Sequence, residues 1–256
     1  MSYLPGTPCW VDTLQREPLA ALDFYGPLFG WEFSAPGPGG YVVARLDGRD
    51  VAGIGQLPAE GPAVWATYIR VEDAGAELPG ATRLIGPVDA APAGRLAVFA
   101  DPTGAVFCVW EPGERDGAQL ANEPNTWLMS SLHTPDPVAA SAFYGAAFGW
   151  QAESMGPVTL FHLPGYVGGL PDEKKAAQWQ GMPRDIVAVM APPDPQVPPH
   201  WNVNFRVDDA DAIAARATQL GGGIMMAPSD GGGLRSAVLR DPQGAVFSIS
   251  QPLDSS

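Results

Sequence analysis

The side chains able to move a proton or hold an ion are few and scattered. The chain has three histidines, His133, His162 and His200, and two cysteines, Cys9 and Cys108. No two histidines share a short ligand spacing, and the cysteines form no C-x-x-C pattern, so neither set reads as a zinc site. Both cysteines stand in apolar, strand-like stretches and read as small buried hydrophobes. General acid–base catalysis needs a positioned His, Asp, Glu or Tyr. The candidates are Asp12, Tyr68 and His162, each on a predicted strand, with Cys108 as a further group to test. No glycine-rich phosphate loop stands beside them. Gly221–Gly223 follows a helix and Gly231–Gly233 fills a turn, whereas a nucleotide fingerprint joins a strand to a helix.

The elements that must position these residues occur twice. Phe24-Tyr25-Gly26-Pro27-Leu28-Phe29-Gly30-Trp31 returns as Phe143-Tyr144-Gly145-Ala146-Ala147-Phe148-Gly149-Trp150, identical at six of eight positions and offset by 119 residues. Asp101-Pro102-Thr103-Gly104-Ala105-Val106-Phe107 returns as Asp241–Phe247 with Gln243 in place of Thr103. The chain is therefore two copies of one domain: residues 1–111, a linker over 112–125, and residues 126–256. Each copy reads as two strand–helix–strand–strand–strand units, an α+β class. In copy one a strand over Pro8–Leu14 precedes a helix over Pro18–Phe29, with proline in its first turn and Gly30 as its stop. In copy two the helix runs over Pro137–Phe148 with Asp136 as N-cap. Only Ala74 to Leu78 is available for the second helix of copy one before Pro79-Gly80, so a turn or loop is expected there. Its counterpart, Asp209–Leu220, is a full helix. Short strands are expected at Arg83–Ile85 and Ile224–Met226. The segment from Pro164 to Asp185 is much longer than its counterpart at Asp47–Asp50 and reads as a lid or interface loop.

Composition narrows the function classes. Of 256 residues, 28 are acidic and 14 basic, a net charge of −14. A nucleic-acid binder needs a basic face to displace counterions, and none is legible. No apolar run is long enough to span a bilayer, and the N-terminus lacks a signal-peptide pattern, so a cytoplasmic protein with no membrane partner is expected.

The duplicated Phe-Tyr…Phe-Gly-Trp peptide with Asp-Pro-x-Gly before each last strand resembles the vicinal oxygen chelate superfamily of glyoxalases, bleomycin-resistance proteins and extradiol dioxygenases. The resemblance runs from about Thr7 to Pro252. It implies tandem glyoxalase-like domains, each of two paired βαβββ units forming a curved mixed sheet around a cavity. Metal-using members carry His, Gln or Glu at set strand positions. Here those positions fall on Trp10, Ala66 and Cys108 in copy one, and on Leu128 or Met129, Asn202 and Ser248 in copy two. None is His or Glu, so the expectation is no cofactor.

The expected lining is neutral and aromatic: Trp10, Trp65, Tyr68, Cys108 and Trp110 in copy one. In copy two it is Met129, Ser131, His162, Trp201, Asn202, Asn204, Ser248 and Ser250. Core packing is the competing role for each tryptophan. Aromatic walls with a few polar groups suit flat organic ligands. The functional expectation is a metal-independent protein binding an aromatic or polyketide-like natural product or metabolite, in resistance or biosynthesis. The alternative is a glyoxalase-like lyase or a hydroxylase or dioxygenase using acid–base groups or unconventional ligands. The chain is expected as a monomer with internally paired domains or as a homodimer.

Overall fold

The computed structural model describes residues 3–57, 61–166 and 185–253. Pro164–Asp185 falls largely outside these residues. Sixteen strands and three longer helices appear among those described. The strands of copy one are β1 (Pro8–Gln15), β2 (Glu32–Phe33), β3 (Val42–Leu46), β4 (Arg49–Gln56), β5 (Val64–Arg70), β6 (Thr82–Asp89), β7 (Gly94–Ala100) and β8 (Val106–Pro112). Those of copy two are β9 (Thr126–His133), β10 (Gln151–Met155), β11 (Val158–His162), β12 (Ile186–Ala191), β13 (His200–Arg206), β14 (Gly223–Gly231), β15 (Leu234–Arg240) and β16 (Val246–Pro252). The helices are α1 (Pro18–Phe29), α2 (Pro137–Phe148) and α3 (Ala210–Gln219). Strands hydrogen-bond in two mixed eight-stranded sheets, β2-β3-β4-β1-β5-β8-β7-β6 and β10-β11-β12-β9-β13-β16-β15-β14. The class is α+β, as expected.

Local sequence accounts for the helix ends. Helices α1 and α2 each have proline in the first turn and end on a left-handed glycine, Gly30 and Gly149, the conformation that glycine adopts without a Cβ penalty. The Asp136 carboxylate accepts from the Ala139 amide at the start of α2. Asp209 does the same for Ala212 at the start of α3. The stretch from Val71 to Ala81 forms turns and no helix, because Pro79-Gly80 leaves too few residues to repay nucleation. Strands β6 and β14 are longer than the short runs expected. Their side chains are mostly exposed, so no apolar alternation marked their full extent.

Contacts divide the chain into two compact units, each drawing on both repeats. Unit 1 comprises residues 1–10, 67–117 and 129–201. Unit 2 comprises residues 11–66, 118–128 and 202–256. In unit 2, α1 buries Phe24, Tyr25, Leu28 and Phe29 with Phe205, Phe247 and Ile249. In unit 1, α2 buries Phe143, Tyr144 and Phe148 with Phe99, Phe107 and Phe161. The rings in both cores meet edge-on or tilted as well as stacked, the geometries that the ring quadrupole favours.

The repeated peptides explain this division. In unit 2 the Tyr25 hydroxyl of copy one donates to Asp241 Oδ2 of copy two at 2.8 Å and accepts from Trp65 Nε1 at 3.0 Å. In unit 1 the Tyr144 hydroxyl of copy two donates to Asp101 Oδ2 of copy one at 3.0 Å and accepts from Trp201 Nε1 at 2.9 Å. Each aspartate's other oxygen takes backbone amides of its own Asp-Pro-x-Gly turn. The motif tryptophans also bond outside their own repeats, one to the linker and one to the other copy. Trp31 donates to the Asn125 carbonyl and Trp150 to the Gly6 carbonyl.

Candidate functional site

In unit 2, Asp12 on β1 lies opposite Gly53 on β4 in parallel register. The Asp12 side chain is buried, and the Tyr41 hydroxyl donates to its Oδ2 at 3.0 Å. Strand alternation puts Gly53 and Gly55 on one face, and Tyr41 lies across both. A Cβ on Gly53 would overlap the Tyr41 hydroxyl, and one on Gly55 would come within 3.0 Å of its ring. A carboxylate held by a phenol can take a proton from a bound molecule while the phenol stabilises the charge. Tyr41 was not among the residues singled out from sequence. Its signal was the Gly-x-Gly inside a strand, which marks close approach of another group.

Unit 2 also carries a polar face. Asn202 Nδ2 donates to Ser248 Oγ at 2.7 Å, and Asn204 Nδ2 to Ser250 Oγ at 2.9 Å. Ser250 and Ser236 share a further hydrogen bond of 2.8 Å. The intervening Val203, Phe205, Phe247 and Ile249 point into the core, so alternation sets the amides and hydroxyls together on the other face.

In unit 1 the aromatic residues gather on β5 and β8. Tyr68 pairs with Cys108 in parallel register, and its ring meets Trp110 edge-on at 6.4 Å and 85°. Trp110 Nε1 donates to the Arg115 carbonyl at 2.8 Å, and its ring fills the space over Gly94. The Arg115 guanidinium stands 5.5 Å from the Trp10 ring centroid, within cation–π range. Trp10, Tyr68, Cys108 and Trp110 are all buried.

His162, on β11 of unit 1, sits between two carboxylates. Its Nδ1 lies 2.9 Å from Asp185 Oδ1 and its Nε2 lies 3.1 Å from Glu153 Oε2. The hydrogen bond from His162 holds Asp185 below its ordinary pKa. Elsewhere in unit 1 the His133 and His200 rings stack, with centroids 4.9 Å apart and planes within 5°. His133 Nε2 contacts Ser131 Oγ at 3.0 Å. Burial first, and then the neighbouring His200, lower the His133 pKa below the ordinary histidine value.

Trp65 and Trp201 belong to the buried tyrosine–aspartate networks. Burial, reinforced by the adjacent aspartate, pushes the Tyr25 and Tyr144 phenols well above their ordinary pKa. Both stay neutral hydrogen-bond donors across ordinary pH.

A family profile described as a glyoxalase-like domain matches residues 129–250. "Putative glyoxylase CFP32" of Mycobacterium tuberculosis is 39% identical over 98% of this chain and 96% of its own. The chain belongs to the vicinal oxygen chelate superfamily. The anthracycline biosynthesis protein DnrV of Streptomyces peucetius is 33% identical over 96% of this chain and 94% of its own. Among solved structures, the Mn(II)-bound glyoxalase from Novosphingobium aromaticivorans aligns with a TM-score of 0.64 at 17% identity, covering 99% of this chain and 85% of that one. That likeness shows the fold.

The Mn(II)-bound neighbour corrects the expectation of no cofactor. Superfamily scaffolds hold metal, and a tally of His and Glu at a few strand positions is too narrow a test, since ligation also draws on other oxygen and sulfur donors. Among the described residues, no three His, Cys, Asp or Glu side chains are grouped to hold an ion. The expected positions carry Trp10, Ala66, Cys108, Asn202 and Ser248. These residues do not fit a three-ligand centre. No helix among the described residues is long and apolar enough to cross a membrane.

Proposed function

We propose that this protein binds an aromatic or polyketide-like natural product or metabolite, in a biosynthetic or resistance role in the cytoplasm. The observation that carries the reading is the buried cluster of Tyr68 and Trp110 beside Cys108, with Trp10 capped by Arg115. Flat rings find large contact area there at small entropic cost. The 33% identity to DnrV, named for anthracycline biosynthesis, supports the same ligand class. The test is tryptophan-fluorescence titration with a panel of polycyclic aromatic compounds. Saturable quenching at micromolar concentration is expected. No quenching by any of them overturns the reading.

A second reading rests on Asp12 and Tyr41. Their hydrogen bond, built over Gly53, is suited to acid–base turnover of a molecule bound beside it in unit 2, as in a glyoxalase-like lyase or a hydroxylase. CFP32, named as a glyoxylase, is consistent with it. Chromatography of ligands recovered after incubation separates the two. Unchanged ligand supports binding alone; a product lost in Asp12→Asn supports turnover. The protein works as a monomer or homodimer under either reading.

A further inference from the structure

Unit 2 presents a face whose chemistry differs from its counterpart in the other repeat. On β13, β15 and β16 the residues turned away from the core include Asn202, Asn204, Ser236, Val238, Ser248 and Ser250. Register fixes the correspondence. Asn204 pairs with Ser248, Val238 with Ser248 and Ser236 with Ser250. In unit 1 the same ladder reads Tyr68 with Cys108, Val98 with Cys108 and Leu96 with Trp110. Duplication thus left Tyr68, Cys108, Trp110 and Leu96 in one copy where the other has Asn204, Ser248, Ser250 and Ser236. An apolar set became a set of amides and hydroxyls, with no carboxylate added on this face of the three strands.

The polar groups are recessed and pre-ordered. Ser250 is fully buried, Ser248 is 9% exposed, and Asn204 is half-buried. One end of the Asn204 amide is committed to Ser250, which is itself held by Ser236. The other end, Oδ1, is shielded from solvent and has no hydrogen-bond partner among the described residues. A buried polar atom left in that state forfeits the hydrogen bond it made to water, so a partner of matching chemistry gains what the protein forgoes. The two ends of a carboxamide are nearly isosteric, and turning the group over would present N–H instead of C=O. A hydroxyl satisfies either end because it both donates and accepts. The one charge on this face of β13 is Arg206, opposite Ser250, and its Nη1 is committed to the Asn122 carbonyl at 2.7 Å. The Asn and Ser groups themselves supply no counter-charge for an ionic partner.

We propose that this amide–hydroxyl face of β13, β15 and β16 binds a neutral ligand through a hydroxyl group that bonds to the Asn204 side chain. This face belongs to unit 2 and the Tyr68–Trp110 cluster to unit 1, so it is a site of its own. The inference rests on the aromatic-ligand reading for the class of ligand and adds the group on it that is recognised. Asn202 and Ser248 form a second, adjacent amide–hydroxyl pair, so ligands carrying more than one hydroxyl bind most tightly.

The test uses two probes of one skeleton, 2,6-dihydroxyanthraquinone and its 2,6-dimethoxy analogue, in buffer mild enough in acid to keep the hydroxyls protonated. Calorimetric titration of the full chain is expected to favour the dihydroxy probe by about tenfold or more, because a site that hydrogen-bonds a hydroxyl rejects the analogue lacking it. Asn204→Leu removes both amide ends and is expected to abolish that preference. Ser250→Ala and Ser236→Ala loosen the amide without filling the site, and each is expected to reduce the preference at least threefold. These two variants carry the test if Asn204→Leu does not fold. Equal affinity of the wild type for both probes overturns this inference and leaves the aromatic reading standing. A preference that survives in all the folded variants also overturns it. Binding of neither probe removes the aromatic reading and this inference together.

Discussion

The Tyr25 hydroxyl of the first repeat donates to the Asp241 carboxylate of the second across 2.8 Å, inside a fully buried network. Asp241 also accepts from Gln15 Nε2 at 2.7 Å, and Trp65 Nε1 closes the network onto Tyr25. Tyr144 and Asp101 repeat the arrangement with the repeats exchanged. The most recognisable residues of the chain are thus a pair of reciprocal clasps.

Tyr25→Phe keeps the ring and removes the hydroxyl, leaving Trp65 Nε1 buried without its acceptor. A loss of about 2 kcal/mol is expected, in the range for a buried donor left unsatisfied. Tyr144→Phe should cost a similar amount through Trp201. Urea denaturation followed by far-UV circular dichroism checks both. A loss near zero in both variants would show that the networks contribute nothing.

Gly53→Ala places a methyl group where the Tyr41 hydroxyl lies. Tyr41 must swing away and release Asp12, and a destabilisation of about 1–3 kcal/mol is expected from the overpacking. Gly48→Ala meets no neighbour but forces a non-glycine residue to a φ of 73°, so its cost is backbone strain alone. Double-mutant comparison of Gly53→Ala with Tyr41→Ala decides the cause. If Tyr41 is the obstacle, Gly53→Ala becomes much cheaper in the Tyr41→Ala background.

Trp110 and Trp65 are both buried tryptophans with satisfied indole N–H groups, yet they stand in different places. Trp110→Phe should weaken binding of a polycyclic aromatic ligand about tenfold, because the ring contacts Tyr68 beside the proposed ligand. Trp65→Phe should leave affinity within about twofold and instead cost about 1–3 kcal/mol of stability through the Tyr25 network. Fluorescence titration and urea denaturation of the two variants separate the roles.

Acid should destabilise the fold in two distinct windows. The unfolded His133 takes its proton near pH 6.5, whereas in the folded protein burial and His200 depress its pKa. The unfolded state therefore binds more protons as pH falls below 6.5, and stability falls with it. The contribution is complete above that pH and is lost on acidification towards the depressed folded value. His133→Asn should flatten this step. Asp185, depressed by its bond from His162, contributes stability present above its ordinary carboxylate pKa and lost only in stronger acid. His162→Gln should remove that second step and leave the first. Urea midpoints measured from neutral to strongly acidic pH resolve the two.

Local rules made much of the framework readable. Pro18 and Pro137 at helix starts, Gly30 and Gly149 at helix ends and the Asp136 cap fix α1 and α2 through contacts within a few residues. Pro79-Gly80 forbids the missing helix by the same short-range logic. The lengths of β6 and β14 were not readable, because exposed outer strands carry no alternation. Tyr41 was hidden for another reason: nothing in its own neighbourhood shows that Gly53 and Gly55 clear a path for its ring.

Sequence alone determined the duplication and the α+β class and carried the resemblance to the superfamily, since peptides that recur along the chain need no coordinates to be seen. It also marked Asp12, Tyr68 and Asn204 as polar or aromatic residues on strands. Only the tertiary structure decided their partners. It joined Tyr25 to Asp241 and Tyr144 to Asp101, turned Trp65 and Trp201 into donors for those tyrosines, and gathered Asn204 with Ser236 and Ser250. The physical reason is range. Helix caps and turns are settled by neighbours along the chain, whereas a buried carboxylate or amide takes whichever donor the packed core brings within 3 Å, and that residue can stand in the other repeat.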